Sequence, residues 1–410
     1  MAKPKLALIP ATQGSKLYSV LPADGVGDFT FSRNSAATRI NKDGLIETVA
    51  VGKSRLNYPL IDGVVNGCPS HLLEPQRSNL FTYSEDFGVG TYTSSLITYS
   101  SNTLDVLSPK GDNSSDKFTV TTSGGDSNRR ITKSISVQNF TASIYVKGEV
   151  GQKFHLFVAR DGYAEIKDGY FTCNGEWQRF SFSDSFTTTS TSVVIGLEFG
   201  WGSNDSVAND VYYLWGAMLE DGSFPTSYIP NYGTSAGITR VAETATGAGD
   251  ASTFNDSEGV LMAEISALSN GGNLMTVSLN DGDGTADNHV SILYRNNSSE
   301  IWAQASGGGT STNIFLYDVQ QDYNNKIAIA YASNSLKIYI NGILKGNTTL
   351  NALPNGLSSI DFKSGGNTEN FYGSAKQIQY FDSALNDSDL EKITSWTSFT
   401  DLANGQTYSI

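Results

Sequence analysis

The sequence predicts an all-β protein, with two β-sandwich (jelly-roll) domains after an irregular N-terminal segment. Three observations carry this. Glycine stands at 41 positions and only 17% of residues are charged, a composition suited to short strands and small-residue turns. Alternating apolar runs such as Phe140–Lys147 recur between polar turns, at the spacing of roughly 8–12 residues that marks a sandwich. A chain of 410 residues is too long for one sandwich and suits two or three domains.

The stretch Val211 to Tyr232, VYYLWGAMLEDGSFPTSYIPNY, divides the chain. Its first half reads as a long strand, with Val211, Tyr213, Trp215, Ala217 and Leu219 on one face. Tyr212, Leu214, Gly216, Met218 and Glu220 make the other. Asp221-Gly222 supplies a turn, and Pro225 and Pro230 end the ladder by removing backbone donors. One β domain is expected before this stretch and another after it.

Residues 1–79 have weak periodicity and many prolines and glycines, with short strands expected at Phe29–Ser32 and Leu45–Val49 around a Lys42-Asp43-Gly44 turn. Such a segment cannot close a core alone. It must bury Leu6, Leu8, Ile9, Phe29, Phe31, Leu72 and Leu73 against its own second domain or neighbouring chains. Arg33, Arg39, Arg55 and Arg77 punctuate it. Their forks suit pairing with carboxylates and carbonyls inside the chain, or contact with another protein.

Residues 80–232 form the first sandwich. Its strands include Phe140–Lys147, with Phe140, Ala142, Ile144 and Val146 on one face, then Lys153–Ala159, Trp177–Phe182 and Val193–Phe199. A linker rich in Gly, Ala and Thr, Thr234–Asp250, leads to the second sandwich at residues 240–400. Strands are expected there at Val260–Leu268, Asn273–Leu279, His289–Tyr294, Lys326–Tyr331, Leu336–Ile340 and Ile343–Lys345. The last two are joined by Asn341-Gly342, which tolerates the positive φ of a type I′ turn. A final helix should start at Asn386 as N-cap, with Asp389 as capping partner and Leu385 against Leu390.

Several function classes are disfavoured. The net charge of −14, without a basic cluster, argues against nucleic acid. No apolar run approaches the roughly 18 residues of a membrane span. The apolar patch of MAKPKLALIP is too short for a signal-peptide core, so cytoplasmic synthesis is expected. Cys68 and Cys173 read as free thiols, and His71, His155 and His289 match no zinc spacing. Neither metal nor cofactor is implied. In the loop Asn280–Asn288, Asp281, Asp283 and Asp287 offer oxygens suited to calcium, but no closing glutamate follows and Asp-Gly is ordinary turn chemistry. Sugar binding needs exposed aromatic faces. Trp201, Trp302 and Tyr372 are the candidates, whereas Trp177 and Trp215 are expected to be buried in strands.

Two runs carry a resemblance. WGAMLEDGSFPTSYIPNYGTSAGITRVAET is similar to a segment of phage virion proteins of the fibre or decoration type, where it closes a carbohydrate-binding-like jelly roll. TRINKDGLIETV (Thr38–Val49) with GCPSHLLEPQRSNLFTYSEDF (Gly67–Phe87) resembles the N-terminal signature of the same proteins. SLKIYINGILKGN and SAKQIQYFDSALNDSDLEKI further resemble the laminin-G and concanavalin-like lectin fold. That fold also hosts glucanases, but no glutamate here is followed two residues later by aspartate, and no Gly-x-Ser-x-Gly elbow occurs.

The resemblance implies a non-enzymatic virion structural protein of tail or head, contributing to host-surface glycan binding, with other virion proteins as partners. It would be a homo-oligomer, a trimer, located in the virion and anchored through residues 1–79. Deleting that segment should then leave folded sandwiches. The other reading is a secreted bacterial glycan-binding or glycan-cleaving multidomain protein.

Overall fold

The computed structural model describes residues 3–89, 92–93, 96–123, 128–133, 135–199, 207–268, 274–295, 299–366 and 369–396. Among these, regular structure is antiparallel strand apart from one short helix, Asp387–Ser395, so the expected all-β sandwich class holds.

One sandwich lies within residues 80–232. One sheet runs Tyr92–Thr93, Asn128–Lys133, Val193–Glu198, Lys153–Arg160, Glu165–Thr172. The other runs Ile97–Ser100, Asp116–Val120, Val211–Asp221, Asn139–Gly148, Gln178–Ser185. Between them lies a core in which Phe140, Ala142, Ile144 and Val146 all turn inward, as their alternation predicts.

The strand Val211–Asp221 departs from its expected phase. Tyr212 and Leu214 face this core first, and Ala217 and Leu219 face it afterwards, while Trp215 and Met218 belong to a different cluster. The register slips between Ser143 and Tyr145 of the partner strand, and Gly216 sits there at φ 63°. A β-bulge inserts one extra residue and inverts every later side chain. Only a residue without Cβ takes this conformation cheaply.

The second sandwich recruits the N-terminus. Its larger sheet runs Thr244–Thr246, Phe29–Ser32, Lys16–Leu21, Leu6–Gln13, Gly373–Phe381, Gly259–Ala267, Asn325–Ala332, Ser335–Ile340, Ile343–Thr348. Ser70–Leu73 also pairs with Gly373–Phe381, opposite Gly373 to Ala375. Opposite this sheet lie Thr310–Leu316, Glu300–Gly307, His289–Arg295, Met275–Asn280 and Ser359–Asp361. Leu6, Leu8, Leu17, Phe29, Phe31 and Leu73 join Ile265, Ile292 and Tyr380 in one core. Of the two surfaces expected to cover the N-terminal apolar groups, the chain's own second sandwich does so. Residues 1–79 are therefore not a separate segment beside this sandwich: they supply central strands and core side chains of it. Asn341 (φ 49°) and Gly342 (φ 81°) form the expected left-handed hairpin turn.

The first sandwich is thus inserted between two parts of the second. At the neck, Arg77–Asn79 pairs with Ile238–Arg240. The Asn79 carboxamide donates to Ser84 Oγ and the Ile229 carbonyl, both at 2.7 Å, and accepts from the Phe81 amide at 2.9 Å.

Beside the neck sits a buried ion network. Glu243 accepts from Arg33 Nη1 at 2.6 Å and from Arg55 Nε at 2.9 Å. Glu74 pairs with Arg55 at 2.8 Å and with Arg240 at 2.9 Å. It also accepts from the Ser227 amide at 2.7 Å. Burial by itself raises the Glu74 carboxyl, but Arg240, Arg55 and the Ser227 hydrogen bonds outweigh it and hold the group at about 2.

Arg33 and Arg55 were candidates for contact with another protein, and the structure corrects this. Both guanidinium groups are enclosed, at 0% side-chain exposure, because each compensates a buried glutamate. Arg39 instead reaches the Leu56 carbonyl and Glu47, and Arg77 stacks over Phe224 at 4.7 Å.

The helix starts as expected. The Asn386 side chain caps the Asp389 amide at 2.9 Å and donates to the Asp389 carboxylate at 3.1 Å. Leu385 packs with Leu390 and Ile393 against the larger sheet. Asn386→Ala is expected to lower stability by about 1 kcal/mol, read as a shift in the urea midpoint.

Candidate functional site

In the strand Lys153–Arg160, Phe154, Leu156 and Val158 enter the core, so His155, Phe157 and Ala159 must face outward. The register sets His155 opposite Tyr170 and Glu198, and Phe157 opposite Asp168 and Gly196. A Cβ at Gly196 would meet the Phe157 ring at 2.2 Å, so the missing side chain is what lets that ring lie across the sheet.

The result is a continuous aromatic surface with two carboxylates. The His155 and Tyr170 rings lie 5.1 Å apart and 30° from parallel. His155 and Phe157 are 5.8 Å apart, and Phe157 and Tyr163 are 6.4 Å apart. Glu198 Oε2 meets His155 Nε2 at 2.9 Å, and the Tyr170 hydroxyl donates to Asp168 at 3.4 Å. The inner members are buried, whereas Tyr170 is 66% and Tyr163 40% exposed.

Tyr163 is held there against its own preference. Asp161, Gly162 and Tyr163 take φ values of 47°, 71° and 70°, a region that a bulky side chain rarely occupies. The turn is fixed by Asp161, which accepts from the amides of Thr191 and Ser192 at 2.9 and 3.0 Å. The hydrogen bonds from Thr191 and Ser192 hold the Asp161 carboxyl at about 2. Glu165 braces the other side through Arg160 at 3.0 Å and the Thr187 amide at 3.0 Å. Tyr163 and Tyr170 thereby present aromatic faces to a ligand, and half-buried Asp168 offers carboxylate oxygens to its hydroxyls.

Sequence reasoning named none of these residues as a binding site; His155 entered only as a histidine without zinc spacing. Their signal was the second face of KFHLFVAR and the polar-aromatic alternation of DGYF, both overshadowed by the core face of the same strands.

The named candidates are placed elsewhere. Trp201 lies outside the described residues. Trp302 is half-buried on the outer face of the second sandwich, with Phe315 edge-on at 4.5 Å and the Arg295 guanidinium 5.0 Å over its ring. Tyr372 packs beside the second core and lies within the fields of Arg77 and Glu243; burial raises its hydroxyl above the usual range. Trp215 is fully buried, as expected. Trp177 is half-buried instead, its indole N–H donating to the Leu107 carbonyl at 2.9 Å.

A cleft of about 220 Å³ separates residues 38–57 from Pro225–Tyr228. Its Arg39 and Arg179 already bond the carbonyls of Leu56 and Thr226. Asp281 and Asp283 accept from groups of their own turn, the Asn288 amide and the Thr285 N–H. No group of three metal-ligating side chains occurs among the described residues.

No family model and no curated protein matches the sequence. Among solved structures, the IT-sialidase CBM40 of Ruminococcus gnavus bound to α2,3-sialyllactose is similar at 18% identity, covering 34% of this chain and 84% of its own, with TM-score 0.29. Domain 4 of AbnA, a GH43 extracellular arabinanase of Geobacillus stearothermophilus in complex with arabinotriose, is 11% identical, covering 37% of this chain and 73% of its own, with TM-score 0.27. Mouse laminin α1 domains LG4-5 are 7% identical, covering 66% of this chain and 93% of their own, with TM-score 0.23. At such scores these likenesses assign neither a ligand nor a site.

Proposed function

We propose that the chain binds a saccharide, without cleaving it, on the outer face built from His155, Phe157, Tyr163, Asp168, Tyr170 and Glu198. The observation that carries this reading is Tyr163, an aromatic ring kept exposed by a strained and doubly braced turn. Strain of this kind persists where the surroundings enforce it, characteristically at ligand sites. Tyr163 and Tyr170 stack on pyranose faces, and the half-buried Asp168 carboxylate accepts sugar hydroxyls.

The sequence resemblance supports placing this binder in a virion fibre or decoration, as a homotrimer on other virion proteins. Light scattering of the purified chain tests the trimer, and a single-chain mass would exclude it.

Full-length protein is applied to a printed array of neutral, N-acetylated and sialylated oligosaccharides. Tyr170→Ala is expected to weaken the strongest signal about tenfold, the loss of one aromatic contact of ~1.4 kcal/mol. Unchanged binding would refute this face as the site. New reducing ends released from the bound glycan would refute the non-enzymatic reading.

A further inference from the structure

We infer that the second sandwich carries another saccharide site, on the outer face of the strands His289–Arg295, Glu300–Gly307 and Thr310–Leu316. This extends the binding reading above to a separate surface. Ile292 and Ala303 turn into the core, so their neighbours in sequence form rows on the outer face. Leu293, Trp302 and Phe315 stand directly opposite one another across the three strands, and Ser291, Gln304 and Asn313 form the next row. An aromatic row therefore lies beside an amide row.

The aromatic row is fixed. The Trp302 indole N–H donates to Glu300 at 3.1 Å, and Phe315 and Arg295 pack on its ring. Phe315 stays 45% exposed and neighbouring Tyr317 63%.

The amide row is oriented as well. His289 Nε2 meets Gln304 Oε1 at 2.9 Å. That oxygen can only accept, so the imidazole donates and the Gln304 NH₂ points away from it. Burial holds the His289 imidazole below its usual pKa, and neutral. Thr276 Oγ1 and Asn313 Oδ1 are buried on the same face with no partner among the described residues, and buried polar atoms call for one.

A pyranose supplies what this surface lacks: an apolar face for Trp302 and Phe315, and hydroxyls for Gln304 and Asn313. The ligand class is a neutral or N-acetylated oligosaccharide. Glu300 lies 3.7 Å from Arg295 and offsets its charge, and the chain's net charge of −14 repels acidic glycans.

The test compares four full-length forms on the same array: wild type, Tyr163→Ala with Tyr170→Ala, Trp302→Ala with Phe315→Ala, and all four changes together. The first double variant is expected to keep a signal on neutral or N-acetylated glycans that falls at least about tenfold in the quadruple variant. Gln304→Ala, placed in the first double variant, should lower that same residual signal. If the first double variant already shows no signal, the second site is overturned and the first stands. If wild type shows none, both readings fall. Should Trp302→Ala with Phe315→Ala fail to fold, N-bromosuccinimide oxidation of Trp302 in wild type decides, followed by mass spectrometry. Protection by the best-bound array oligosaccharide supports the site, and its absence overturns it.

Discussion

Glu243→Gln is expected to destabilise the protein by about 3–5 kcal/mol, measured as a lower urea midpoint. The substitution keeps the shape of the side chain and removes its charge. Arg33 and Arg55 then remain enclosed; among the described residues, Arg33 loses its only carboxylate contact and Arg55 keeps Glu74 alone. Taking one partner from a buried pair leaves an uncompensated ion in a poorly solvated site, which is where the large cost arises. The control is Glu47→Gln, whose bond to Arg39 lies at a part-exposed edge; its cost should stay under about 1 kcal/mol. Equal effects for the two substitutions would show that the enclosed network does not set the stability of this junction.

The same network predicts acid sensitivity. The Glu74 carboxyl is held at about 2 in the folded protein, against 4.5 unperturbed. A depressed carboxylate contributes stability that is complete above its unfolded value and is lost as pH falls through its folded value. Stability should therefore decline from about pH 4.5 towards 2, and Glu74→Gln should flatten that limb while lowering stability at pH 7.

Removing residues 1–79 is expected to unfold the second sandwich and leave the inserted one intact. Leu6, Leu8, Leu17, Phe29, Phe31 and Leu73 are buried in the core of the second sandwich, at about 1.5–3 kcal/mol for each side chain fully buried. Together they match the roughly 5–15 kcal/mol of net stability typical of a folded domain. The deletion also strips the strand Leu6–Gln13 and the segment Ser70–Leu73 from Gly373–Phe381, exposing a row of unpaired backbone groups. Residues 80–232 alone, with a separate core, should melt in one cooperative transition. Residues 80–410 should show that transition and no second one. Two transitions matching those of the full chain would mean that the N-terminal strands are dispensable.

The inner faces of the strands, the Asn341-Gly342 turn and the Asn386 cap were legible in the sequence, because each depends on residues a few positions apart. Side-chain alternation and turn chemistry are local, and the pattern Phe140, Ala142, Ile144, Val146 allows one arrangement with a buried face. The phase of Val211–Asp221 was misread because a bulge at Gly216 is a property of two paired strands, visible only once Ser143 and Tyr145 lie opposite it. The arginines of the first segment showed no partner in sequence. Glu243 is 210 residues from Arg33, and only closure of the neck brings them together.

The candidate site follows the same division. His155, Phe157, Tyr163 and Tyr170 can be read as alternating or turn residues, but nothing local says that their rings form one surface. That required the register of three strands and the absence of a side chain at Gly196. By itself the sequence determined the class of fold, most strand faces and the helix start, all governed by short-range sterics and apolar periodicity. Tertiary structure alone decided that the N-terminus completes the last sandwich, that Arg33 and Arg55 are enclosed, and which aromatic rings meet. Those outcomes depend on burial and charge compensation between segments far apart in the chain, and no local pattern encodes them.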